Sequence, residues 1–494
     1  MKFLPDAPES TPDVLTAVEA VPTLRGYAGS PTAVSGGYSA LAATATGAAL
    51  AFKLDGSTRV FAGTQAALYE GSGGVWTDRS RAGSYTTGDV RWSFAQFGDT
   101  TLAINKATVL QSSTTGAFAD VANAPKAACM ETVGGFVMLA NCDDTGSGLG
   151  TGYGDQGNRW WCSQIFNATG TWNPAPSTQA TSGLLVSSPG KIIGLKRLGE
   201  QVVAYKNRAI HVGQYSGPPD VFTWALVPGE IGAWSNESVV SIGTAHLFIG
   251  YENVYRFDGS RPVEIGTGIR EWFFSRLNKS YAYLIAGIHD RNTSTVWWWY
   301  PSGSSTVLDS VLVYNYAADT WGALTDMTAL ASSGTVQTVL PIQTVQAQIT
   351  YDTLYTSLGI SNPTYDQMPA ISYDSPFWQS GAPVLAVLRN DQLLYTLTGS
   401  SSSSSITTGF WGDQERYSFC DRVRAKFRTK PTGATLTPYA VTELGASTAT
   451  NSSTLNGDRF DVMQMARWHK FKLSMTGPQE IEALTPRLKG DGFE

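Results

Sequence analysis

Histidine is the side chain best suited to proton transfer near neutral pH, and the chain has four. They are His211, His246, His289 and His469. None stands three or four residues from another possible ligand in a helical context, so the spacing favours no histidine-based metal centre. His289 and Asp290 could relay a proton, but their position in a turn after an apolar strand favours a structural pair.

The motifs of several common enzyme classes do not occur in the sequence. There is no Gly-x-Ser-x-Gly elbow, phosphate-binding loop or His-Glu-x-x-His zinc motif. The glycine-rich stretch GTGYGDQG at 150–157 lacks the Lys-Ser/Thr pair that a phosphate-binding loop requires. Asp143, Asp144 and Asp155 flank this stretch. They could converge on a cation, although solvated turn acids are the expected reading.

Tryptophan is abundant, with 15 residues, and Trp297-Trp298-Trp299-Tyr300 forms an unbroken aromatic run. Four consecutive residues of a strand face both sides of a sheet. Packing between stacked sheets uses large aromatics on both faces, so packing is the expected role of this run. Aromatic surfaces also bind sugars, and carboxylate pairs hydrolyse glycosides, so a carbohydrate-binding or glycoside-cleaving protein stays open as an alternative.

The stretch RVRAKFRTK at 422–430 alternates basic and apolar residues. Successive side chains of a strand point to opposite faces, so one face would carry a basic ladder. Its four members are Arg422, Arg424, Lys426 and Arg428. The ladder could contact phosphates or an acidic patch on a neighbouring subunit. It could equally be a solvated sheet face with salt bridges.

The composition predicts many short strands rather than helices. Charged residues make up only 15% of the 494 residues, against roughly 25% in typical soluble domains. Aromatic residues and glycine are plentiful, which suits pleated surfaces joined by turns. The net charge of −6 gives no global attraction to nucleic acid or to an anionic membrane.

The four cysteines have no spacing that is typical of a zinc site. We expect reduced, mostly buried thiols at Cys129, Cys142, Cys162 and Cys420, with a Cys142–Cys162 disulfide as the alternative. The N-terminal sequence MKFLPDAPESTPDVL lacks the apolar run of a signal peptide. No stretch reaches the ~18 apolar residues of a membrane helix, so no membrane span is expected.

Short apolar strands recur from about residue 41, each followed by a turn and then by an aromatic residue. The clearest unit is FAGTQAALYEGSGGVWTDRS at 61–80. The repeated aromatics stand 42 to 54 residues apart and are Trp76, Phe118, Trp172, Trp224, Trp272 and Trp321. Repeats of roughly 40–50 residues with several strands each indicate β-propeller blades. Two β-sandwiches with accidental spacing are the alternative.

These patterns divide the chain into three parts and predict an all-β fold. Residues 1–40 contain five prolines and are predicted to form an extended arm. Residues 41–400 are predicted to form a propeller of six or seven blades. The serine run at 400–405 marks a flexible boundary. Residues 401–494 alternate again and are predicted to form a C-terminal β-rich platform or sandwich.

Several strings resemble the tail nozzle, or tail hub, proteins of short-tailed bacteriophages, also described as tail tubular B-like. They are PDVLTAVEAVPTLRGYAGSPTAV at 12–34, FAGTQAALYE at 61–70, WSFAQFGDTTLAINK at 92–106 and VYRFDGSRPVEIGTG at 254–268. The resemblance covers most of residues 12–330 and is weaker in the C-terminal part. As a set, the strings are moderately specific for this family.

The resemblance implies a structural virion protein of the phage tail, assembled in the host cytoplasm. It implies a homo-hexameric ring below the portal and the adaptor ring, which extends the DNA conduit and gates DNA before ejection. Tail fibres or a needle would dock on it, and double-stranded DNA would pass without sequence-specific contact. No catalytic residue, cofactor or metal is implied. A net-negative ring would avoid retaining DNA along its length.

Two other functions stay open at this point. One is a carbohydrate-binding or glycoside-cleaving propeller of the tail. The other is a bacterial propeller that binds solutes or proteins and has no connection with viruses.

Overall fold

The structure, a computed structural model, describes residues 1–490 except 9, 12–13, 84, 86–90, 326–333, 344–382, 402 and 444–445. Almost all regular structure in this part of the chain is β-strand. The segment before residue 40 supplies five short strands. They are β1 (Lys2–Phe3), β2 (Val14–Glu19), β3 (Val21–Pro22), β4 (Tyr27–Ala28) and β5 (Thr32–Ser35).

Seven four-stranded antiparallel sheets follow within the described residues. The first three sheets consist of β6 (Ala45–Phe52), β7 (Thr58–Thr64), β8 (Leu68–Ser72) and β9 (Val75–Asp78); β10 (Ser93–Phe97), β11 (Thr100–Ile104), β12 (Gln111–Ser113) and β13 (Ala119–Asp120); and β14 (Lys126–Val133), β15 (Phe136–Asp143), β16 (Asp155–Cys162) and β17 (Thr181–Leu184). The hairpin between β8 and β9 turns at Gly73 and Gly74, whose φ angles of +57° and +82° suit glycine.

The fourth and fifth sheets consist of β18 (Ile192–Leu198), β19 (Gln201–Lys206), β20 (Ile210–Gly217) and β21 (Val221–Leu226); and β22 (Val239–Ser241), β23 (His246–Ile249), β24 (Val254–Phe257) and β25 (Val263–Glu264). A short helix, α1 (Arg270–Arg276), and a 3-10 helix (Lys279–Leu284) lead to the next sheet. The last two sheets contain β26 (Ala286–Asp290), β27 (Thr295–Tyr300), β28 (Ser310–Asn315) and β29 (Thr320–Leu324); and β30 (Val336–Gln343), β31 (Pro383–Arg389) and β32 (Leu394–Gly399).

The seven sheets form a closed ring. The first strand of each sheet contacts the first strand of the next, and β30 of the seventh contacts β6 of the first. The fold is therefore a β-propeller with seven blades, which confirms the predicted all-β propeller. The fourth strand of the last blade is β5, which pairs antiparallel with β32. An N-terminal strand thus completes the last blade and closes the ring.

Large aromatic side chains fill the spaces between blades. All four residues of the aromatic run in β27 are buried. Trp297 and Trp299 pack in the cluster that joins the sixth and seventh blades. Trp298 and Tyr300 point the other way, into the cluster shared with the fifth blade. The alternation of β27 therefore serves packing on both faces, as the sequence predicts.

The C-terminal strands form a two-layered β-sandwich with the N-terminal ones. They are β33 (Ser404–Thr408), β34 (Trp411–Gly412), β35 (Ser418–Thr429), β36 (Gly433–Glu443), β37 (Ala446–Ala449), β38 (Ser453–Thr454), β39 (Arg459–Ala466), β40 (Trp468–Thr476) and β41 (Glu480–Gly490). One sheet has the order β1-β2-β33-β40-β36-β37, with β34 and β38 at its side. The other has the order β3-β4-β41-β35-β39.

One hydrophobic core joins the sandwich to the propeller. It contains Leu473 and Ile481, from the two sandwich sheets, together with Trp298 and Trp321 from the sixth blade. Tyr27, which is 1% exposed, lies at the junction. Its hydroxyl donates to the carbonyl oxygen of Trp321 at 3.0 Å. The sandwich and the sixth blade are therefore packed as one unit.

The structure differs from the sequence-based division in several places. Residues 1–40 do not form a free arm, because β1 to β4 join the sandwich sheets and β5 joins the last blade. The serine run continues into β33, which begins at Ser404. Trp272 lies on α1 rather than on a blade. Trp172 lies in the connection between β16 and β17, and Phe118 directly precedes β13.

Candidate functional site

The basic ladder lies on the outer face of the five-stranded sandwich sheet. Arg424, Lys426 and Arg428 are exposed and Arg422 is half-buried on β35. The intervening residues point the other way, since Val423 and Ala425 belong to the core. The alternation therefore brings the four basic residues to one face, as the sequence predicts. Whether this face has a binding role stays a prediction.

Salt bridges neutralise one half of the ladder. Lys426 lies 2.6 Å from Glu482, and Arg428 lies 3.7 Å from Glu480. Both carboxylates belong to the neighbouring strand β41. No carboxylate of the described residues forms an ion pair with Arg422 or Arg424. The solvated-face interpretation thus fits the end of the ladder near Arg428. At the other end Arg424 has no ion pair among the described residues, and the charge of Arg422 is only partly balanced by nearby Asp421, whose pKa it helps to lower.

Residues that the sequence analysis did not single out extend this face. Arg487 and Lys489 of β41 share Asp421, at 3.8 and 2.8 Å. On the edge strand β39, Met463 is 80% exposed and Met465 is 53% exposed. The alternation of RFDVMQMA at 459–466 could have revealed both methionines, because it places them with Asp461 on one side of the strand. We call this combined surface the ladder face.

The channel of the propeller is crossed by Arg91. This residue precedes the first strand of the second blade, and its Nη2 donates to the carbonyl oxygen of Leu284 at 2.9 Å. Its Nη1 lies 3.9 Å from Oε2 of Glu237. Leu284 and Glu237 precede the sixth and fifth blades, across the ring. Burial lowers the pKa of Arg91, and the charge of Glu237 partly opposes that shift.

A cavity of about 510 Å³ opens at the end of the channel where the innermost strands begin. We call it the amino-end cavity. Among the described residues, its basic lining side chains are Arg91, Lys106, Lys191 and Lys279, and its one lining carboxylate is Glu237. Trp234 and Tyr251 also line it, with ring centroids 3.9 Å apart and planes inclined by 24°.

A second cavity, of about 790 Å³, opens at the opposite end of the channel. Its lining is more apolar and includes Ile288, Val384 and Leu385, together with His289 and Asp290. Gln343 and Pro383, at the ends of β30 and β31, line it as well, and residues 344–382 lie outside the described residues. We therefore assign no function to this cavity.

The four histidines are held by hydrogen bonds inside the fold. His246 contacts the hydroxyl of Tyr205 and the carbonyl oxygen of Arg197, each at 2.8 Å. Burial lowers the pKa of His246 to about 4. Burial, with a smaller effect of Lys206, also lowers the pKa of His211 to about 4. Both imidazoles are therefore neutral at pH 7.

The other two histidines contact hydroxyl groups. Nε2 of His289 lies 3.0 Å from the hydroxyl of Tyr316, and that of His469 lies 3.0 Å from Oγ of Ser418. Burial lowers the pKa of both. Asp290 accepts hydrogen bonds from the following turn, from the backbone of Asn292 and the hydroxyl of Thr293. These contacts fit the structural reading of the His289-Asp290 pair.

The three acidic residues around the glycine-rich stretch do not meet at one point, although Asp143 and Asp155 are opposite each other on β15 and β16. Asp144 is 7% exposed and accepts hydrogen bonds from the backbone of Tyr153 and Gly154, at 3.0 and 2.5 Å. Asp155 instead pairs with Lys106 at 2.6 Å. No cluster of three metal-ligating side chains occurs among the described residues. Asp144 is thus a buried residue whose carboxylate stabilises the loop through hydrogen bonds, rather than the solvated turn acid that the sequence suggested.

All four cysteines are free and buried, as expected. Burial raises the pKa values of Cys129, Cys162 and Cys420 to about 12, and that of Cys142 further still. These thiols are therefore protonated at neutral pH. No helix in the described part of the chain is long and apolar enough to cross a membrane.

Comparison with known proteins returns propeller structures at low identity. No family model and no curated protein matches the sequence. The WD40 domain of Neurospora crassa Pan2 aligns with 72% of this chain and 89% of its own, at 10% identity and a TM-score of 0.38. BamB from Moraxella catarrhalis aligns with 76% of this chain and 92% of its own, at 9% identity and a TM-score of 0.37. The computationally designed Ika8 protein aligns with 74% of this chain and 99% of its own, at 11% identity and a TM-score of 0.36.

Proposed function

We propose that this chain is a non-enzymatic structural protein of a short-tailed phage virion, which forms a homo-hexameric ring in the tail. The ring would lie below the portal and the adaptor ring, extend the DNA conduit and retain DNA before ejection. Fibres or a needle would dock on it. The proposal rests on the sequence resemblance and on one structural observation, which is the partly unpaired charge of the ladder face.

The ladder face suits contact with a second copy of this chain. The whole chain carries a net charge of −6, so surfaces elsewhere on an identical copy are on average acidic. Arg424 and the partly balanced Arg422 would find carboxylates there, and exposed Met463 and Met465 would bury apolar surface. Contact between two different surfaces of identical chains is heterologous, and such contacts form a ring when the rotation between neighbouring copies closes.

The shared core supports a structural role in such a ring. Because the sandwich and the sixth blade pack into one cluster, a contact made through the sandwich also fixes the propeller. The propeller channel is a poor DNA path, since Arg91 crosses it. The conduit would therefore run along the axis of the assembled ring, outside the individual propellers.

Mass measurement of the purified full chain under native conditions tests the proposal. We expect a ring of six chains, each of 52.9 kDa. The double variant Arg422→Glu and Arg424→Glu would place acids on the ladder face and should yield monomers. A matched control is Arg256→Glu with Arg261→Glu, because both arginines are exposed on the fifth blade. This control should still form the ring.

Two results would contradict the proposal. One is a wild-type chain that stays monomeric at every concentration and is missing from purified virions. The other is a ladder variant that assembles as well as the wild type, since the subunit contact would then lie elsewhere.

A further inference from the structure

We infer that the amino-end cavity of the propeller is a binding site for an acidic oligosaccharide, that is, a short chain of sugars that carry carboxylates. The inference goes beyond the proposed structural function and does not depend on ring formation. It rests on the charge, the aromatic surface and the shape of the described lining of this cavity.

The charge of the cavity favours an anion. Four basic side chains and one carboxylate belong to its described lining, although the chain as a whole is acidic. Of the four, Lys106 is already paired with Asp155 at 2.6 Å. The carboxylate, Glu237, forms an ion pair with Arg91, with Nη1 and Oε2 3.9 Å apart. Lys191 and Lys279 are exposed, and neither forms an ion pair with any carboxylate that the structure describes. These two lysines are therefore available to a ligand.

The distribution of the lysines favours a ligand with spaced charges. Lys106 belongs to the second blade, Lys191 directly precedes the fourth, and Lys279 lies in the 3-10 helix before the sixth. They approach the cavity from three sides of the ring instead of forming one cluster. Lys106 is paired with Asp155, so the charges open to a ligand are those of Lys191 and Lys279, which come from different sides. A single phosphate is usually held by donors that converge on one point. A chain with one carboxylate per sugar matches separate lysines better.

The aromatic pair supplies a surface for sugar rings. Trp234 and Tyr251 are both half-buried and line the cavity. Nε1 of Trp234 donates to the carbonyl oxygen of Gly250 at 2.9 Å, which fixes the indole. The C–H face of a pyranose is apolar and packs on such a ring, while exposed Asn207 can bond the sugar hydroxyls.

The same lining suits binding rather than cleavage. Hydrolysis of a glycoside requires two carboxyl groups on opposite sides of the scissile bond. The described lining offers only Glu237, which is occupied by Arg91. Arg91 also closes the channel beneath the cavity, so a saccharide would enter by one end and could not thread through.

Calorimetric titration of the full chain with linear trigalacturonate tests the inference. We expect saturable binding of one molecule per chain, and no binding of the neutral trigalactose. Changing Lys191→Gln and Lys279→Gln should weaken the affinity by roughly tenfold per lysine, because each charge-assisted hydrogen bond contributes about 1.5 kcal/mol. Lys430→Gln, an exposed lysine of the sandwich, is the matched control and should bind normally.

Additional titrations, with one more variant and with other ligands, distinguish an acidic oligosaccharide from other anions. Tyr251→Ala should weaken trigalacturonate binding without changing the melting temperature by more than a few degrees. Adenosine monophosphate and inorganic phosphate, at the same ionic strength, should bind more weakly than trigalacturonate. The inference is overturned by the lack of saturable binding, by lysine variants that bind like the wild type, or by tighter binding of either phosphate compound.

Discussion

The hydroxyl of Tyr27 donates a hydrogen bond to the carbonyl oxygen of Trp321 at 3.0 Å, and it accepts one from the backbone N–H of Phe3 at 2.8 Å. One buried oxygen thus connects β4, β1 and the outermost strand of the sixth blade. Burial raises the pKa of Tyr27 far above its usual value, so the phenol stays protonated and remains a donor.

Replacement of this hydroxyl should destabilise the junction. Tyr27→Phe leaves a buried N–H and a buried carbonyl without their partner, and each such group costs about 1–3 kcal/mol. We expect a lower urea midpoint, measured by tryptophan fluorescence. Tyr417→Phe removes a hydroxyl from a residue that is 38% exposed, and it should leave the midpoint unchanged. Equal midpoints for the two variants would contradict this role of Tyr27.

The close approach of β4 and β41 leaves no room for a side chain at Gly26. A Cβ atom there would lie 1.9 Å from the carbonyl oxygen of Ile481. Gly26→Ala should therefore shift the backbone and reduce the free energy of unfolding by about 1–3 kcal/mol. A Cβ atom at Gly116 would meet nothing within 4 Å, so Gly116→Ala is the control. The melting temperatures of both variants, measured by thermal unfolding, test this prediction. A Gly26→Ala protein as stable as the control would refute the packing argument.

The buried histidines predict a loss of stability in acid. The pKa of His211 and His246 is about 4 in the folded chain, against 6.5 for an ordinary histidine. The unfolded chain therefore binds protons first as the pH falls. The free energy of unfolding should be constant above pH 6.5 and should decrease between pH 6.5 and 4, by up to ~3 kcal/mol for each histidine.

Urea midpoints measured from pH 7.5 down to 4.5 check this dependence. His246→Gln removes one titrating group, so its midpoint should fall less steeply than that of the wild type. An unchanged slope in this variant would mean that other groups cause the acid sensitivity.

Local patterns in the sequence predicted the blades and the ladder, while distant pairings were not predictable. Trp76, Trp224 and Trp321 do lie on the outermost strands of their blades, because strand alternation and turn spacing are local properties. Trp272 kept the expected spacing but lies on a helix, since an aromatic residue alone does not specify a strand.

Contacts between segments that are distant in the sequence could be identified only from the three-dimensional structure. Val18 pairs with Ile406 in the sandwich, but neither segment contains a sequence pattern that specifies the other as its pairing strand. The amino-end cavity could not be predicted from the sequence for the same reason, because Arg91 and Glu237 come together only when the ring of blades has closed. Proline content suggested an arm for residues 1–40, but short paired strands fit between the prolines.

Closure of the last blade by β5 determines the timing of folding during synthesis. The partner strand β32 ends at Gly399, so most of the chain must leave the ribosome before β5 can pair. At ~5–20 residues per second, the first-made strands wait on the order of tens of seconds with open hydrogen-bonding edges. We therefore expect nascent chains of this protein to need protection of these strand edges until translation is nearly complete.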